Sequence, residues 1–468
     1  MPSFPYLITD NKKINKAYRL AIATLSANIM PFQSGILCKP EPVILAGLGY
    51  STPWTRDAAI NTWNAGGLLC PTAARSTLES VIVKRENGHF IDGEYWDRII
   101  WIIGAWWYYL YTGDQDFLRL AYETAENSLA YFESTEFSSQ LNLFRGPACY
   151  GDGVAAYPDI YAQHGKSGII DFATDNKALC EPVGVGIPMH ALSTNCLYYQ
   201  AYVTADKMGA ALGLSPKYAE KARAMKQAIN AVFWNEERKT YSYLHDPFGG
   251  CDAAEGIGIS FAILFDIADL KQKQALFQTT PVTSHGISCV YPSFSRYANG
   301  YGRHSGTVWP HIQGFWADAA ATNGKTEIFD REFSAQTENA LRYHQFAEVY
   351  HPVTGELYGG LQEDKQQGIR LWDSEPHQTW SATAYLRNVF FNLLGMQFAP
   401  EGISFRPAGS RLFGKLALTD LHYRDAVLNI CITGNGRQMV SFKINGEDAS
   451  PFIPAQATGT LDIDIRLA

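Results

Sequence analysis

Pairs of amphipathic helices separated by short turns constrain this sequence more than any other feature. In the clearest pair, large apolar residues recur at steps of four and three, at Trp96, Ile100, Ile103, Trp107 and Leu110. Such spacing predicts a helix with one apolar face. The turn 112–114 follows at once, and a second helix is predicted up to about residue 132. Two helices joined by so short a turn pack antiparallel, as a helical hairpin.

The same arrangement recurs along the chain. A helix predicted over 191–212 ends at Gly213, and Ser215 and Pro216 begin the next helix as its N-cap and first residue. Further helices are predicted at 12–30, from about 53, and at 255–267, 270–280, 305–322, 326–343 and 377–394. This succession predicts a mainly α domain over residues 1–395, built as a toroid of helical hairpins.

The character of the sequence changes after Leu394. Apolar residues then alternate with other residues on either side of a Gly434-Asn435-Gly436 turn, at Leu428, Ile430, Ile432, Val440, Phe442 and Ile444. Period-two alternation around a glycine-rich turn is typical of strands joined in hairpins. Residues 396–468 are therefore predicted to form a small C-terminal antiparallel β domain.

Composition excludes several classes of function. The net charge of −8 leaves no basic face for nucleic acid or anionic lipid, and 46% hydrophobic against 18% charged residues disfavours long disorder. The longest apolar run, 99–111, is shorter than the roughly 20 residues that cross a bilayer, and the N-terminus has no signal-type apolar segment. We expect a soluble cytoplasmic protein, or a periplasmic one if a signal peptide has been removed. No nucleic-acid or membrane partner is expected, and the oligomeric state stays open.

Neither the cysteines nor the histidines are spaced as metal ligands. The eight cysteines are widely spread without a C-x-x-C pair, which predicts reduced thiols rather than a disulfide frame or a zinc site. His304 and His311 show neither H-x-x-x-H nor H-E-x-x-H spacing, which favours structural histidines. No metal and no cofactor is therefore expected.

The long connections between the predicted hairpins carry most of the clustered glycine, proline, aromatic and acidic residues. They lie at 31–52, 135–190, 236–254, 282–304 and 344–376, and long ordered loops in compact domains are usually functional. In one of them Asp152 stands between Gly151 and Gly153. Taken alone, Gly-Asp-Gly is more typical of an ordinary turn than of a carboxyl that faces a ligand.

Several segments, in this order along the chain, carry a resemblance to a known family. They are WTRD at 54–57, YWDRIIWIIGAWWYYLYTGD at 95–114, the loop around Asp152, YANGYGRHSGTVWPHIQGF at 297–315, AEVYHPVTGE at 347–356 and HQTWSATAYLR at 377–387. Together they resemble the six-hairpin, (α/α)6-toroid inverting glycosidases. The resemblance is closest to the amylo-glucosidase part of glycogen debranching enzymes, and more distant to processing α-glucosidases, trehalases and mannosylglycerate hydrolases. The segment FAPEGISFRPAG at 398–409 is similar to the C-terminal sheet of α-rhamnosidases and disaccharide phosphorylases.

The resemblance implies a general acid at Asp152 and a general base at Glu348. Glu375, just before the last predicted helix, is the competing candidate for the base by its position, and it ranks second because it matches no catalytic glutamate of the family. Inverting hydrolysis needs two such carboxyl groups, about 6.5–9.5 Å apart. The acid must keep its proton, and the neighbouring apolar residues are expected to raise the pKa of Asp152 by desolvation; they are Phe144, Cys149, Tyr150 and Tyr157. The residues expected to bind the sugar are Trp54, Arg56, Asp57, Asp97, Trp101, Tyr150, His304, Trp309, His311, Glu375 and Trp380.

The expected activity is inverting, exo-acting hydrolysis of a terminal α-linked hexose from an oligosaccharide or glycoside substrate. A disaccharide phosphorylase on the same fold and a non-catalytic carbohydrate-binding relic stay open as alternatives. A sugar isomerase or epimerase is disfavoured, because such enzymes rely on pocket histidines and the histidines here are scattered. Single residues also have structural interpretations: a lone Glu such as Glu348 is commonly a solvated loop acid, and Asp57 suits the first turn of a helix.

Overall fold

The computed structural model describes residues 4–468, and helical pairs dominate it. Within these residues lie twelve α-helices of seven residues or more: α1 (Lys12–Ala27), α2 (Thr55–Asn61), α3 (Pro71–Glu79), α4 (Ile100–Thr112), α5 (Gln115–Thr135), α6 (Leu192–Ala211), α7 (Ala219–Phe233), α8 (Gly256–Leu264), α9 (Leu270–Thr279), α10 (Pro310–Thr322), α11 (Thr326–Tyr343) and α12 (Thr379–Arg387). The prediction of a mainly α fold is confirmed.

The even-numbered helices form the inner ring of the toroid. Each packs against the next even-numbered helix, and α12 packs against α2, which closes the ring. Burial separates the two layers: inner helix α4 buries eleven of its thirteen residues, whereas outer helix α5 buries eight of twenty-one and exposes a polar face. A helix that is apolar on all sides must be surrounded by protein, and the closed ring of six such inner helices confirms the predicted (α/α)6 toroid.

Some helix boundaries differ from the predicted ones. The apolar stripe was predicted from Trp96, but α4 begins at Ile100, and the first inner helix begins at Thr55 with Trp54 as its N-cap. The chain after α2 continues in a π-helix, Thr62–Gly66, and the chain after α12 does so in another, Asn388–Leu393. These wider turns extend the inner helices towards the far end of the toroid.

A buried ion pair lies inside the ring. Arg387, at the end of α12, donates from Nε and Nη2 to Oδ2 of Asp318 on α10, at 2.9 and 2.5 Å. The guanidinium carbon also lies 4.5 Å from the ring centre of Trp63. Both charged side chains are almost fully buried, so each depends on the other for its charge compensation.

Strands from both ends of the chain form the β domain. The strands are β1 (Tyr6–Thr9), β2 (Met396–Ala399), β3 (Gly402–Phe405), β4 (Lys415–Tyr423), β5 (Ala426–Thr433), β6 (Met439–Ile444), β7 (Glu447–Asp448), β8 (Phe452–Pro454) and β9 (Gly459–Leu467). One sheet has the order β1-β4-β5-β9-β6-β7 and the other β2-β3-β8. Because β1 pairs with β4, the predicted domains 1–395 and 396–468 share a sheet, and the boundary between them stays a prediction.

The prediction of an antiparallel β domain is wrong for one pair of strands. β5 and β6 are linked by a short turn and run in opposite directions, and β9 inserts between them. Since β9 is antiparallel to β6, it must run parallel to β5, and Ala426 pairs with Gly459 in that register. The larger sheet is therefore mixed.

Short elements border the toroid. Two-stranded ribbons pair Ile29–Phe32 with Glu41–Ile44, Ile82–Arg85 with Gly88–Ile91, Phe137–Ser138 with Leu143–Phe144, His190–Ala191 with Leu244–His245, Trp234–Asn235 with Thr240–Tyr241, Ala254–Glu255 with Val290–Tyr291, Val282–Thr283 with Gly286–Ile287, and Leu361–Asp364 with Gly368–Leu371. The short helices are Gly67–Leu69, Val154–Ala156, Asp159–Ala162, Ile170–Asp175, Lys177–Leu179 and Ser295–Tyr297. Across residues 4–468, no helix is both long and apolar enough to cross a bilayer, and the eight cysteines are free thiols.

Candidate active site

The predicted site residues gather at one end of the toroid. Trp54, Trp309 and Gln378 are the N-caps of the inner helices α2, α10 and α12, and all three line one cavity, so these helices begin at the same end of the toroid. Arg56 lies in the first turn of α2, Asp152 in the long loop before α6, and Trp309 at the N-cap of α10. Helix N-termini carry a partial positive charge, which favours carboxylates placed between them.

A cavity of about 240 Å³ occupies this end. Of the thirteen predicted residues, nine line it: Trp54, Arg56, Asp57, Tyr150, Asp152, His304, Trp309, Glu348 and Trp380. The remaining lining residues are Tyr50, Gly153, Ser167, Gly168, Arg303, Gln362, Trp372 and Gln378. A larger cavity, of about 1190 Å³, lies between the segment 67–75, the C-terminal end of α4 and the β domain, and none of the predicted residues lines it.

Glu348 forms one wall of the cavity, in a loop before α12. Its side chain is only 3% exposed. The Tyr50 hydroxyl donates to Oε1 at 2.7 Å, and Nη2 of Arg303 donates to Oε2 at 2.6 Å. Arg303 is itself fixed, because Nη1 donates to the carbonyl oxygens of Gly359 and Asp373. The Glu348 carboxyl therefore has a fixed orientation and a donor on each oxygen.

Asp152 lies on another wall, and 42% of its side chain is exposed. Nη2 of Arg56 donates to Oδ2 at 3.1 Å, while Nε2 of His304 lies 3.6 Å from Oδ1. The backbone carbonyl of Asp152 accepts from the N–H of Ile169, and this bond ties the acid loop to the segment 167–169. The carboxyl thus faces the cavity on a loop with a fixed backbone.

The expected increase in the pKa of Asp152 is not observed. Burial is the largest single influence and acts to raise this pKa, but the lowering contributions, led by the charge of Arg56 and joined by Arg303 and the hydrogen bond from Arg56, together leave the pKa below its ordinary value. Burial also lowers the pKa of His304 to about 3, so this ring is neutral near pH 7. Arg56 is therefore the main cause of the lowered pKa of Asp152. Phe144 cannot provide the expected apolar setting, since its ring stacks on Tyr198 at 3.6 Å.

Arg56 is shared among four carboxyl groups. Nη1 donates to Oε2 of Glu94 and to Oδ2 of Asp97, both at 2.9 Å, and Nε lies 3.9 Å from Oδ2 of Asp57. Burial is the main cause that raises the pKa values of these acids, to about 7 for Asp57, 8 for Glu94 and 6 for Asp97, and the nearby carboxyl groups raise them further. One guanidinium cannot compensate four ionised carboxylates, so this cluster retains protons near neutral pH.

Aromatic rings form the remaining walls. Trp309 stacks on His304 with ring centres 4.9 Å apart and planes 15° from parallel, and its Nε1 donates to the carbonyl oxygen of Arg303. Trp54 lies at the mouth of the cavity and is 45% exposed. An exposed indole beside a polar cavity provides the flat apolar face that binds a sugar ring.

Four of the predicted residues do not line the cavity. Trp101 was predicted on the pocket side, but it is fully buried in the core, where Nε1 donates to the carbonyl oxygen of Leu78. Asp97 lies behind Arg56 and binds it. His311 is buried and stacks on Trp380 with ring centres 4.0 Å apart.

Glu375, the competing base candidate and the fourth of these residues, supports the loop that carries Glu348. Its carbonyl oxygen accepts from the Glu348 N–H at 2.9 Å, and its side chain does not line the cavity. This placement favours Glu348 over Glu375 as the carboxyl that faces a substrate.

Several site residues were not predicted from the sequence. Tyr50, Arg303 and Trp372 each lie inside a segment noted in the sequence or within three residues of a predicted site residue. Their closeness along the chain to those features was the available signal. Gln362 comes from the ribbon Leu361–Asp364, inside the long connection 344–376, but no motif singled out this residue. Among residues 4–468, no group of three or more His, Cys, Asp or Glu side chains is arranged to hold a metal ion.

Comparisons with known proteins identify a family. Residues 100–381 match the family model described as the mannosylglycerate hydrolase MGH1-like glycoside hydrolase domain. From the sequence motifs, mannosylglycerate hydrolases showed a more distant resemblance than debranching enzymes did. Among curated proteins, none matches the sequence.

Solved structures share the fold at low sequence identity. A sialidase matches with a TM-score of 0.67 and 15% identity, over 99% of this chain and 40% of its own. A GH78 family rhamnosidase of Bacillus sp. GL1 matches with a TM-score of 0.61 and 12% identity, over 100% of this chain and 44% of its own. The GH63 mannosylglycerate hydrolase from Thermus thermophilus matches with a TM-score of 0.58 and 12% identity, over 80% of this chain and 100% of its own. This chain thus spans less than half the length of the first two proteins.

Proposed function

The chain belongs to the mannosylglycerate hydrolase MGH1-like glycoside hydrolases, and on this premise we propose that it is an inverting exo-glycosidase. Its substrate is a glycoside with a terminal α-linked hexose, Asp152 is the general acid and Glu348 is the general base. The observation that carries the proposal is that these two carboxyl groups, from loops before α6 and α12, line one small cavity.

The reaction follows from the roles of the two groups. Asp152 gives its proton to the glycosidic oxygen as the bond to the anomeric carbon breaks. A water molecule attacks that carbon from the opposite side of the ring and passes a proton to Glu348. Tyr50 and Arg303 hold Glu348 in the orientation that this proton transfer needs. Substrate bound in the cavity covers Asp152, and the loss of water favours its protonated form.

The size and walls of the cavity support exo-action on one terminal sugar. At about 240 Å³ the cavity lies below the 300–1000 Å³ of typical ligand pockets, which suits a single ring rather than a chain that passes through. Trp54 at the mouth provides a stacking face, and Asp57 provides a carboxyl oxygen, Oδ1, without a hydrogen-bond partner in the described chain. Such an oxygen is suited to accept from a sugar hydroxyl.

Hydrolysis is favoured over phosphorolysis by the position of Glu348. A phosphate that attacks the anomeric carbon would approach the wall that Glu348 occupies, and two negative groups at that distance repel each other. A non-catalytic relic would need neither of the two arginine-anchored carboxyls.

The test is to measure turnover of aryl α-glucosides, aryl α-mannosides and mannosylglycerate by Asp152→Asn and Glu348→Gln variants, with the product anomer followed by NMR. We expect each variant to lose at least about a hundredfold in kcat, the usual contribution of an acid or base. Asp159→Asn and Glu356→Gln are matched controls, because both acids are exposed and lie in the same two loops. Full activity of both site variants contradicts the proposal. A phosphate requirement identifies a phosphorylase, and sugar binding without turnover identifies a relic.

A further inference from the structure

Glu94 lies beside the acid and has no role in the mechanism above. We propose that Glu94 is a positioning residue for Asp152: across Arg56 the two carboxyl groups share one proton, so that the site retains at neutral pH the proton that glycoside cleavage consumes. This inference rests on the proposed role of Asp152 as the general acid.

The bonds of Arg56 support this inference. Nη1 binds Glu94 and Asp97, so only Nη2 reaches Asp152, and it reaches a single oxygen at 3.1 Å. Arginine binds carboxylates most strongly with two parallel bonds. Since Glu94 and Asp97 occupy one end of the guanidinium, Asp152 is held by the weaker, single contact. Its second oxygen faces His304, which is neutral near pH 7.

The charges around Arg56 favour protons that are retained and shared within the cluster. Carboxyl groups that share a site cannot all ionise, and their protons then belong to the group rather than to one residue. The pKa of Glu94, raised to about 8 chiefly by burial, and the lowered pKa of Asp152 indicate that the proton rests on Glu94 in the free enzyme. The charged and titratable side chains that act on these two groups are Arg56, Asp97, Arg303 and His304. Asp57 also interacts with Asp152, which raises the pKa of Asp57.

Glu94 is better placed than Asp97 for this role. Its side chain is 30% exposed, whereas Asp97 is almost fully buried. After Asp152 has given its proton to the leaving oxygen, a proton from solvent can return to the cluster through Glu94. The backbone carbonyl of Glu94 already accepts from the N–H groups of Asp97 and Arg98, so a side-chain substitution leaves the local turn intact.

The experiment compares Glu94→Gln with wild type on two substrates of the same sugar. An alkyl glycoside needs the acid, because its leaving oxygen must be protonated, whereas a 2,4-dinitrophenyl glycoside does not. In the variant Asp152 faces Arg56 with one carboxyl fewer, so it loses its proton at lower pH. We expect the alkaline limb of kcat/KM for the alkyl glycoside to move down by about two pH units, with about a tenfold loss at pH 7. The dinitrophenyl glycoside should change by less than about twofold.

Glu79→Gln is the matched control, since Glu79 also binds an arginine, Arg75 at 2.9 Å, away from the site. An unchanged alkaline limb in Glu94→Gln overturns the inference, as does an equal loss on both substrates, which signals structural damage. Retained turnover of the alkyl glycoside by Asp152→Asn would instead overturn the proposed function, so the two failures are distinguishable.

Discussion

The hydroxyl of Tyr50 lies 2.7 Å from Oε1 of Glu348, so a residue ahead of the first inner helix fixes a carboxyl that precedes the last one. Burial is the first cause of the raised pKa of Tyr50, and Glu348 contributes, so the phenol keeps its proton and remains a donor. The two ends of the ring thus meet at the proposed base.

Replacing Tyr50 with Phe tests this contact. A hydrogen bond to a charged group contributes about 1.5–3 kcal/mol, so we expect kcat to fall by about tenfold to a hundredfold while KM stays nearly constant. Steady-state kinetics on an aryl α-glycoside measures both constants. Tyr358→Phe is the control, because the Tyr358 hydroxyl contacts only the backbone of Tyr301. A larger change in KM than in kcat would contradict a role for Tyr50 through Glu348.

Trp54 and Trp101 should respond in opposite ways. Trp54→Ala removes the exposed ring at the cavity mouth, and we expect KM to rise about tenfold with little change in stability. Trp101→Phe removes the buried Nε1 bond to Leu78, and we expect a loss of about 1–3 kcal/mol in the free energy of unfolding, with KM unchanged. Steady-state kinetics and urea unfolding of both variants test these expectations. A raised KM in Trp101→Phe would show that Trp101 contacts the substrate after all.

Glu255 should make the stability of the protein depend on pH. This fully buried carboxyl, at the N-cap of α8, has a pKa raised to about 8 by burial, against 4.5 ordinarily. Between these values the folded chain keeps the proton that the unfolded chain releases. Stability from this group is therefore full below about pH 4.5 and falls as pH rises to 8, by up to about 1.4 kcal/mol per pH unit.

The variant Glu255→Gln removes this titration and keeps the oxygen that accepts from the N–H of Ser193. Urea unfolding of both proteins at pH 5 and pH 8 should show the variant gaining stability relative to wild type as pH rises. Parallel pH profiles of the two proteins are the result that would count against a protonated Glu255.

The ion pair inside the ring predicts a large loss of stability. Asp318→Asn leaves Arg387 buried without its counter-ion, and we expect about 3–5 kcal/mol of destabilisation in urea unfolding. Replacing both residues, Asp318→Leu with Arg387→Met, should cost far less, since no charge is then left unpaired. Asp116→Asn, which breaks an exposed pair with Arg119, should cost less than about 1 kcal/mol. Equal effects of the three changes would refute this reasoning.

The sequence predicted the helices well because their signals are local. Helix α11 was predicted over 326–343 and has these bounds, and α6 differs from its predicted limits by one residue at each end. The predicted start of α7 was wrong, because this helix begins at Ala219 with Tyr218 as its N-cap and not at Pro216. Boundaries near the site were less accurate, as at Trp96, because the chain there is held by contacts with distant loops.

The side to which a buried residue points was not predictable. Inner helix α4 is apolar on almost every side, so its periodicity cannot show whether Trp101 faces the cavity or the outer layer. The predicted increase in the pKa of Asp152 was wrong for a related reason. The sequence shows the apolar neighbours of Asp152, but it does not show that Arg56, 96 residues away, binds this carboxyl. The parallel pair β5–β9 also depends on which strand inserts where, and strand order is not a local property.

The pairing of β1 with β4 has a consequence for biosynthesis. Tyr6 bonds in register with Thr419, so the first strand leaves the ribosome long before its partner exists. At ordinary translation rates of about 5–20 residues per second, that delay is on the order of half a minute. The contact between α2 and α12 that closes the ring has to wait almost as long. For this interval the nascent chain carries an unpaired strand and an open arc of helices, so chaperone occupancy during translation should be highest before the β domain emerges.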